Sequence, residues 1–312
     1  MTDEFKKAGA PLLELVKAIQ EKAERARREA PPPVPTAACP HCGGKGYHLA
    51  AEGAVSVARP CGCERTCGRC HGRGFLVTTR EGYEFHEPCE CATLPHRISL
   101  YNEAQLPAFF AGKGFEQFYV HEGDPQPLVI AKRELQEFAL TARPGVTKKG
   151  KGLVGGPGRG KTHLLAATLA HLTLVRGIRC RYVEISFLFA DLKAAISDPR
   201  ARATVDKVDE LAEVPILAID ELGKGRGSVF EDEVLDELIG RRYNTGKLTL
   251  FATNYPRVDR EGGRRATDVN RTDPFAQSLR LRVGERVYSR LHQMVGFVEL
   301  PDRILDRRLP PV

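Results

Sequence analysis

Apolar residues are distributed along this chain in three ways. In the first thirty positions Leu12, Leu13, Val16 and Ile19 fall at helical spacing among charged residues, which predicts an amphipathic helix over 1–30. The run Pro31-Pro-Pro-Val-Pro35 cannot continue a helix or a sheet, and it predicts a stiff, extended linker over 31–38. Between 39 and 95 the apolar residues thin out into two short stretches, GYHLAAEGAVSVA and GFLVTTREGYEFHE, with Gly53 and Gly82 near their middles; each is the pattern of a β-hairpin. From about residue 115 short apolar runs alternate with longer helical stretches, the pattern of an α/β domain on a parallel sheet. The expected organisation is a lead-in with a helical segment over 96–150 and a core over 151–312.

Composition narrows the class further. The chain has 312 residues, 42 % hydrophobic and 28 % charged, which suits two folded domains or one large domain with an appendage. No apolar run reaches the roughly 18–20 residues that a membrane helix needs. The first thirty positions also lack an apolar signal core, so the expectation is a cytoplasmic protein with no membrane partner. Lys and Arg number 47 against 40 Asp and Glu, and the net charge of +7 permits an anionic partner without demanding one.

The nine cysteines change the picture of the middle region. Cys39, Cys42, Cys61 and Cys63 recur as Cys67, Cys70, Cys89 and Cys91, each 28 residues later. This is an internal tandem repeat in which each copy reads CxxCxGxG, a spacer, then Pro-Cys-x-Cys, with Pro60 and Pro88 in the same place. Four thiols close a tetrahedral structural Zn²⁺ site, and in a reducing compartment clustered cysteines are more often ligands than disulfides. Two Zn²⁺ ions are therefore expected, paired locally within each repeat or, alternatively, crossed so that the first and last motifs share one metal. His41, His48, His71 and His86 are spare ligands, and Cys180, in CRYVEI, reads as a core residue.

Chemistry of another kind follows at residue 155. Gly155-Gly156-Pro-Gly158-Arg-Gly160-Lys161-Thr162 has the form GxxxxGK followed by Thr, between a short strand (GLVG) and a helix (HLLAATLAHLTLV) that begins at His163. Glycines there free backbone N–H groups to cradle phosphate oxygens, the helix N-terminus adds its dipole, Lys161 reaches the β- and γ-phosphates and Thr162 ligates Mg²⁺. The strand PILAID ends in Asp220 and Glu221, the Walker B arrangement; Asp220 would hold Mg²⁺ and Glu221 would be the general base on a water. The strand KLTLFAT ends before Asn254, a polar side chain placed to orient the same water or simply a turn residue before Tyr-Pro. These residues predict ATP as the ligand.

Taken in order, the P-loop, the Asp-Glu pair, the Thr-Asn strand end and Glu285-Arg-Val-Tyr-Ser-Arg-Leu291 resemble the AAA+ ATPases of the DnaC/DnaI helicase-loader and IstB group. The resemblance covers roughly 97–300 and includes RISLYNEAQLPAFFAGKGFEQF and LDELIGRRYNTGKLTLFATN. It implies a P-loop AAA+ core preceded by a small zinc-stapled module, with Asn254 as sensor 1 and Arg290 as the arginine finger that reaches a neighbouring subunit, Arg286 being the second choice. Only 22 residues follow Arg290, so the resemblance implies no full helical lid, with Arg303 or Arg307 as weak substitutes for its sensor. The CxxCxGxG motifs resemble the cysteine-rich module of DnaJ-type chaperones.

The implied function is an ATP-dependent loader of a DnaB-type replicative helicase, self-associating through its ATP interface and acting at single-stranded DNA. Nine arginines against five acids between Arg257 and Arg290 suit a DNA-binding loop or a plain polar insertion. Two alternatives stand beside this reading: an IstB-like transposition helper on duplex DNA, and a zinc-dependent chaperone-like protein whose repeats hold unfolded clients.

Overall fold

The computed structural model describes residues 39–63, 67, 69–71, 73–80, 83–89, 91–120, 124–196, 203–225, 227–257 and 277–300. The helix and linker expected over 1–38, most of the basic stretch after Arg257, and Arg303 and Arg307 lie outside these residues. Two antiparallel hairpins open the fold, β1 (Tyr47–Glu52) with β2 (Val55–Pro60) and β3 (Phe75–Arg80) with β4 (Tyr83–Pro88). The helices α1 (Leu94–Glu103) and α2 (Gln126–Thr141) follow, then β5 (Gly150–Val154), α3 (Lys161–Leu174), β6 (Cys180–Glu184), α4 (Ile185–Ile196) and α5 (Ala203–Glu213). The chain continues through β7 (Ile216–Asp220), α6 (Val229–Asn244), β8 (Leu248–Thr253), α7 (Leu279–Val283), α8 (Glu285–Met294) and β9 (Val295–Glu299).

Strands β5 to β9 make one parallel sheet in the order β6-β7-β8-β5-β9. Parallel strands need long crossovers, and the helices that supply them cover both faces, so the strands read as unbroken apolar runs. Every residue of β7 and β8 is buried. The period-2 alternation is nonetheless visible in where each side chain goes. Ile216 and Ala218 join the cluster built from α1, α2 and α3, whereas Leu217 and Ile219 join the cluster built from α4, α5, α6 and α8.

Strand order has a direct consequence for function. Because β8 lies between β5 and β7, the loop after β5, the acids after β7 and the residue after β8 emerge side by side along one edge of the sheet. That edge is where open α/β sheets bind ligands. Among the described residues no helix is long and apolar enough to cross a membrane.

The two hairpins share a sequence frame and differ in their surroundings. In the first, the Ser56 N–H donates to the Leu106 carbonyl (2.7 Å), the Ala108 N–H donates to the Ala54 carbonyl (2.9 Å), and the Asn102 amide both accepts from Ala58 N–H (2.7 Å) and donates to Ala58 C=O (3.1 Å). Tyr47, Leu49 and Ala58 pack into the cluster around α1, so this repeat is part of the core rather than an appendage to it. The second hairpin leaves Tyr83 73 % exposed. An ion pair marks the repeat: Glu52 with Arg59 at 2.6 Å in the first copy, Arg80 with Glu87 at 2.8 Å in the second, the same two positions with charges exchanged.

One arginine of the LIGRRY run is internal. Arg242 is fully buried on α6, and its guanidinium donates to the carbonyls of Leu211 (2.8 Å), Ala212 (3.2 Å), Val214 (2.8 Å) and Leu248 (2.5 Å) and to Thr249 Oγ1 (3.0 Å). Burial lowers its pKa to about 9, but the five acceptors tie the end of α5 to the start of β8. Arg242→Met is expected to lower the unfolding free energy by roughly 3 kcal/mol, because the carbonyls lose their donors while staying buried. Urea denaturation of the two proteins measures this difference.

Candidate functional site

The loop after β5 is held open by its neighbours. Gly155 N–H donates to the Thr253 carbonyl (3.2 Å) and Leu300 N–H to the Val154 carbonyl (2.7 Å), so the loop leaves the sheet between the ends of β8 and β9. Gly160 ends it with φ +81°, and a Cβ there would lie 2.5 Å from the Phe118 ring, so only glycine fits where the loop turns into α3. Gly158 is likewise left-handed, at φ +74°. Lys161 is buried, and its ammonium donates to the carbonyls of Gly155 and Gly156, both at 2.6 Å, which places the charge inside the curve of the loop.

Thr162, one residue on, lies toward β7. Its hydroxyl favours the charged form of Asp220, whose carboxylate accepts from Tyr182 Oη (2.8 Å) and from the Glu221 N–H (2.9 Å). Asp220 is only 4 % exposed. Burial raises its pKa, against the lowering effect of the bonds from Tyr182, Thr162 and Glu221. A buried carboxylate beside a hydroxyl, both at the phosphate loop, is an all-oxygen donor set that a hard divalent cation satisfies, and it fits Mg²⁺.

Glu221 follows in a conformation few side chains adopt, φ +54°. The turn is fixed on both sides: Leu222 N–H donates to the Ala252 carbonyl (2.8 Å), and Thr253 Oγ1 donates to the Leu222 carbonyl (2.7 Å). Such strain persists where the surroundings over-determine it, and it turns the Glu221 side chain away from the path of the strand. The carboxylate is ion-paired with Lys224, whose ammonium also lies 3.2 Å from Glu184 Oε1. Glu184 ends β6 in register with Asp220 and accepts a bond from Ser186 Oγ (2.7 Å).

Other expected site residues lie in different settings. Asn254 is half-buried one residue past β8, between buried Thr253 and Tyr255. His163 turns toward the lead-in: its Nε2 lies 2.9 Å from the Gly114 carbonyl, and its ring meets Phe118 edge-on at 5.2 Å and Phe110 at 5.7 Å. Arg290 donates to Asp236 Oδ1 (2.7 Å) and Arg286 to Asp236 Oδ2 (3.3 Å), so both finger candidates on α8 meet one carboxylate of α6. Tyr182, Glu184, Lys224 and Asp236 were not singled out from sequence. They sit on other elements, and strand order and helix packing alone bring them to these partners.

The thiols gather as two local sets. In each of Cys39, Cys42, Cys61, Cys63 and Cys67, Cys70, Cys89, Cys91 the four sulfurs lie within 4.8 Å of one another. Pairs such as Cys39 with Cys61 (3.9 Å) and Cys70 with Cys91 (3.3 Å) join each CxxC to the CxC of its own repeat, and the crossed arrangement does not occur. The N–H groups of Cys42 and His41 hold the Cys39 thiol down to about 6, whereas hydrogen bonding to Cys61 and burial push Cys63 up to about 12. Four crowded thiols cannot all ionise together without a cation, and each set is compatible with a tetrahedral Zn²⁺ that would supply it. Cys180 is buried in β6, where burial raises its thiol pKa.

The family described as IstB-like ATP binding protein matches residues 132–257. The replicative helicase loader DnaC of Buchnera aphidicola subsp. Schizaphis graminum (strain Sg) is 26 % identical over 141 residues, 45 % of this chain and 54 % of the relative. DnaC of Escherichia coli (strain K12) is 27 % identical over 158 residues, 49 % of this chain and 60 % of the relative. The chain thus spans about half the length of the curated relatives it matches. A crystal structure of the DnaC helicase loader aligns with a TM-score of 0.48 at 27 % identity, covering 61 % of this chain and 97 % of that one. The chain carries an IstB/DnaC-like AAA+ domain, homologous to the DnaC helicase loaders and preceded by two four-cysteine modules.

Proposed function

We propose that the protein is an ATP-hydrolysing switch that loads a DnaB-type replicative helicase onto single-stranded DNA. The observation that carries this reading is the placing of buried Asp220 beside Thr162 at the mouth of the phosphate loop, with Glu221 next in the chain. Backbone N–H groups of Gly156, Gly158 and Gly160 and the N-terminus of α3 bind the phosphates. Lys161 gives its ammonium to the β- and γ-phosphates, and Thr162 with Asp220 holds Mg²⁺, which when bound offsets charge on the transferring phosphoryl group. Glu221 accepts the proton of the attacking water once its carboxylate is free of Lys224, and Asn254 orients that water. Arg290 serves the nucleotide of a neighbouring subunit, so ATP favours assembly and hydrolysis dissolves it.

The two cysteine modules each hold one Zn²⁺ and present the surface that meets the helicase. The homology to helicase loaders supports this partner, and the loaded strand follows from the partner. The match to the IstB-like family supports a second reading, a transposition helper that assembles on duplex DNA.

Co-purification with a DnaB-type helicase tests the proposal. Capture is expected in ATP and release in ADP; Lys161→Ala loses ATP binding and capture together, and Glu221→Gln captures without release. Capture of a transposase on duplex DNA with no retention of helicase would favour the second reading. Metal analysis is expected to find about two Zn²⁺ per chain. Each paired substitution within one module, Cys39→Ser with Cys42→Ser or Cys67→Ser with Cys70→Ser, should remove a single equivalent. Loss of both ions from either pair would contradict independent modules.

A further inference from the structure

The turn after β7 is gripped by a side chain that the mechanism above does not use. Arg282, half-buried on α7, donates from Nε to the Gly223 carbonyl (2.9 Å) and from Nη2 to the Gly225 carbonyl (2.6 Å). Its guanidinium also lies over the Tyr255 ring, 5.2 Å from the centroid. The packing is close: a Cβ at Gly223, which has φ +91°, would be 2.9 Å from the Tyr255 ring and 3.3 Å from the Arg282 Cβ. Those two carbonyls bracket Lys224, the residue whose ammonium pairs with Glu221. A planar guanidinium with two donors fixes both carbonyls at once, which a lysine cannot do.

The other end of this arm is the finger helix. α7 starts with Leu279 N–H bonded to the Pro256 carbonyl (2.7 Å), two residues past Asn254, and it passes through Gly284 (φ +78°) directly into α8. Along α8, Val287 and Leu291 are buried in the same cluster as Leu279 and Val283, while Arg286 and Arg290 meet Asp236. The segment from Arg282 to Arg290 is therefore a continuous, packed piece of backbone, with the grip on the Glu221 turn at one end and the arginines for the neighbouring subunit at the other. Coupling between sites requires such a physically connected element with two arrangements, and the glycine between α7 and α8 lets the angle between them change.

We propose that Arg282 is a positioning residue that couples the finger helix to Glu221 within one subunit. When Arg290 leaves Asp236 for a neighbour's nucleotide, α7 shifts, Arg282 carries Gly223 and Gly225 with it, and Lys224 releases the Glu221 carboxylate for its water. Assembly and hydrolysis are thereby linked in the subunit that gives the finger as well as in the one that receives it. This inference rests on the ATPase and self-association reading above.

The test compares turnover per chain at low and high protein concentration, alongside nucleotide affinity by fluorescence and self-association by sedimentation. Wild-type turnover is expected to rise as subunits associate. Arg282→Gln should keep ATP affinity and ATP-dependent association, while its ratio of high- to low-concentration turnover falls to about one. Arg282→Lys, which keeps the charge and can hold one carbonyl at a time, should give an intermediate ratio and serves as the measurement if Arg282→Gln does not fold. A wild-type ratio in either folded variant overturns the coupling and leaves the ATPase reading standing. So does a fall in both rates in proportion to lost stability, which would make Arg282 a brace only. A wild-type chain that turns over no ATP overturns the reading and this inference together.

Discussion

A carboxylate that is 4 % exposed is costly to ionise unless something replaces its water, and Asp220 is such a group. Tyr182, the Glu221 N–H and Thr162 replace part of that water, and each comes from a different place in the fold: β6, the turn beyond β7, and the first turn of α3. Thr162 beside it brings the phosphate loop next to the acidic strand across the end of β8. Around this one point the rest of the site is arranged, with Lys161 inside the loop, Glu221 turned aside by its left-handed backbone, and Lys224 and Glu184 completing the ring of charge beyond it. Burial raises the Asp220 pKa, and the donors around it act in the opposite direction.

The cysteine repeats show how one sequence frame acquires two uses. Both copies form the same hairpin in the same register, with four thiols gathered at one end and an ion pair of exchanged polarity along the strands. The positions Tyr47, Leu49, Ser56 and Ala58 of the first copy meet α1 and the strand-like segment at Leu106. Their counterparts 28 residues on are Phe75, Val77, Glu84 and His86, and of these Phe75 and His86 stack on each other at 4.7 Å. Replacing small residues with larger and charged ones at the contact positions removes the fit that seats the first copy on the core. The gathered thiols are thus common to both hairpins, while side-chain size at the opposite end of the frame decides whether each joins the domain.

Arginines divide in a comparable way. In LIGRRY, adjacent Arg241 and Arg242 look equivalent, yet Arg241 lies on the surface with Asp209 and Glu237 and Arg242 is enclosed by carbonyls. On α7 and α8, Arg282 faces the turn after β7, while Arg286 and Arg290 face Asp236. A helical period of 3.6 separates faces, but it does not say which neighbour each face meets. For that reason Arg286 and Arg290 were legible in advance as a pair of candidates, whereas their partner on α6 and the contacts of Arg282 were not.

What the sequence by itself determined was chemistry carried by short, contiguous patterns: the phosphate loop from Gly155 to Thr162, the acids that end PILAID, the 28-residue repeat of thiols and the parallel α/β alternation. Each depends on local backbone requirements, such as glycine at a left-handed turn or four ligands within reach of a hairpin, which neighbouring residues express directly. Tertiary structure alone decided what lies beside them. Strand order put β8 between β5 and β7 and brought Tyr182 to Asp220, the lead-in took His163 onto Phe110 and Phe118, and helix packing chose Asp236 for Arg290. These contacts join residues tens of positions apart, and they arise from the simultaneous burial of many apolar faces, a condition that no single stretch of sequence contains.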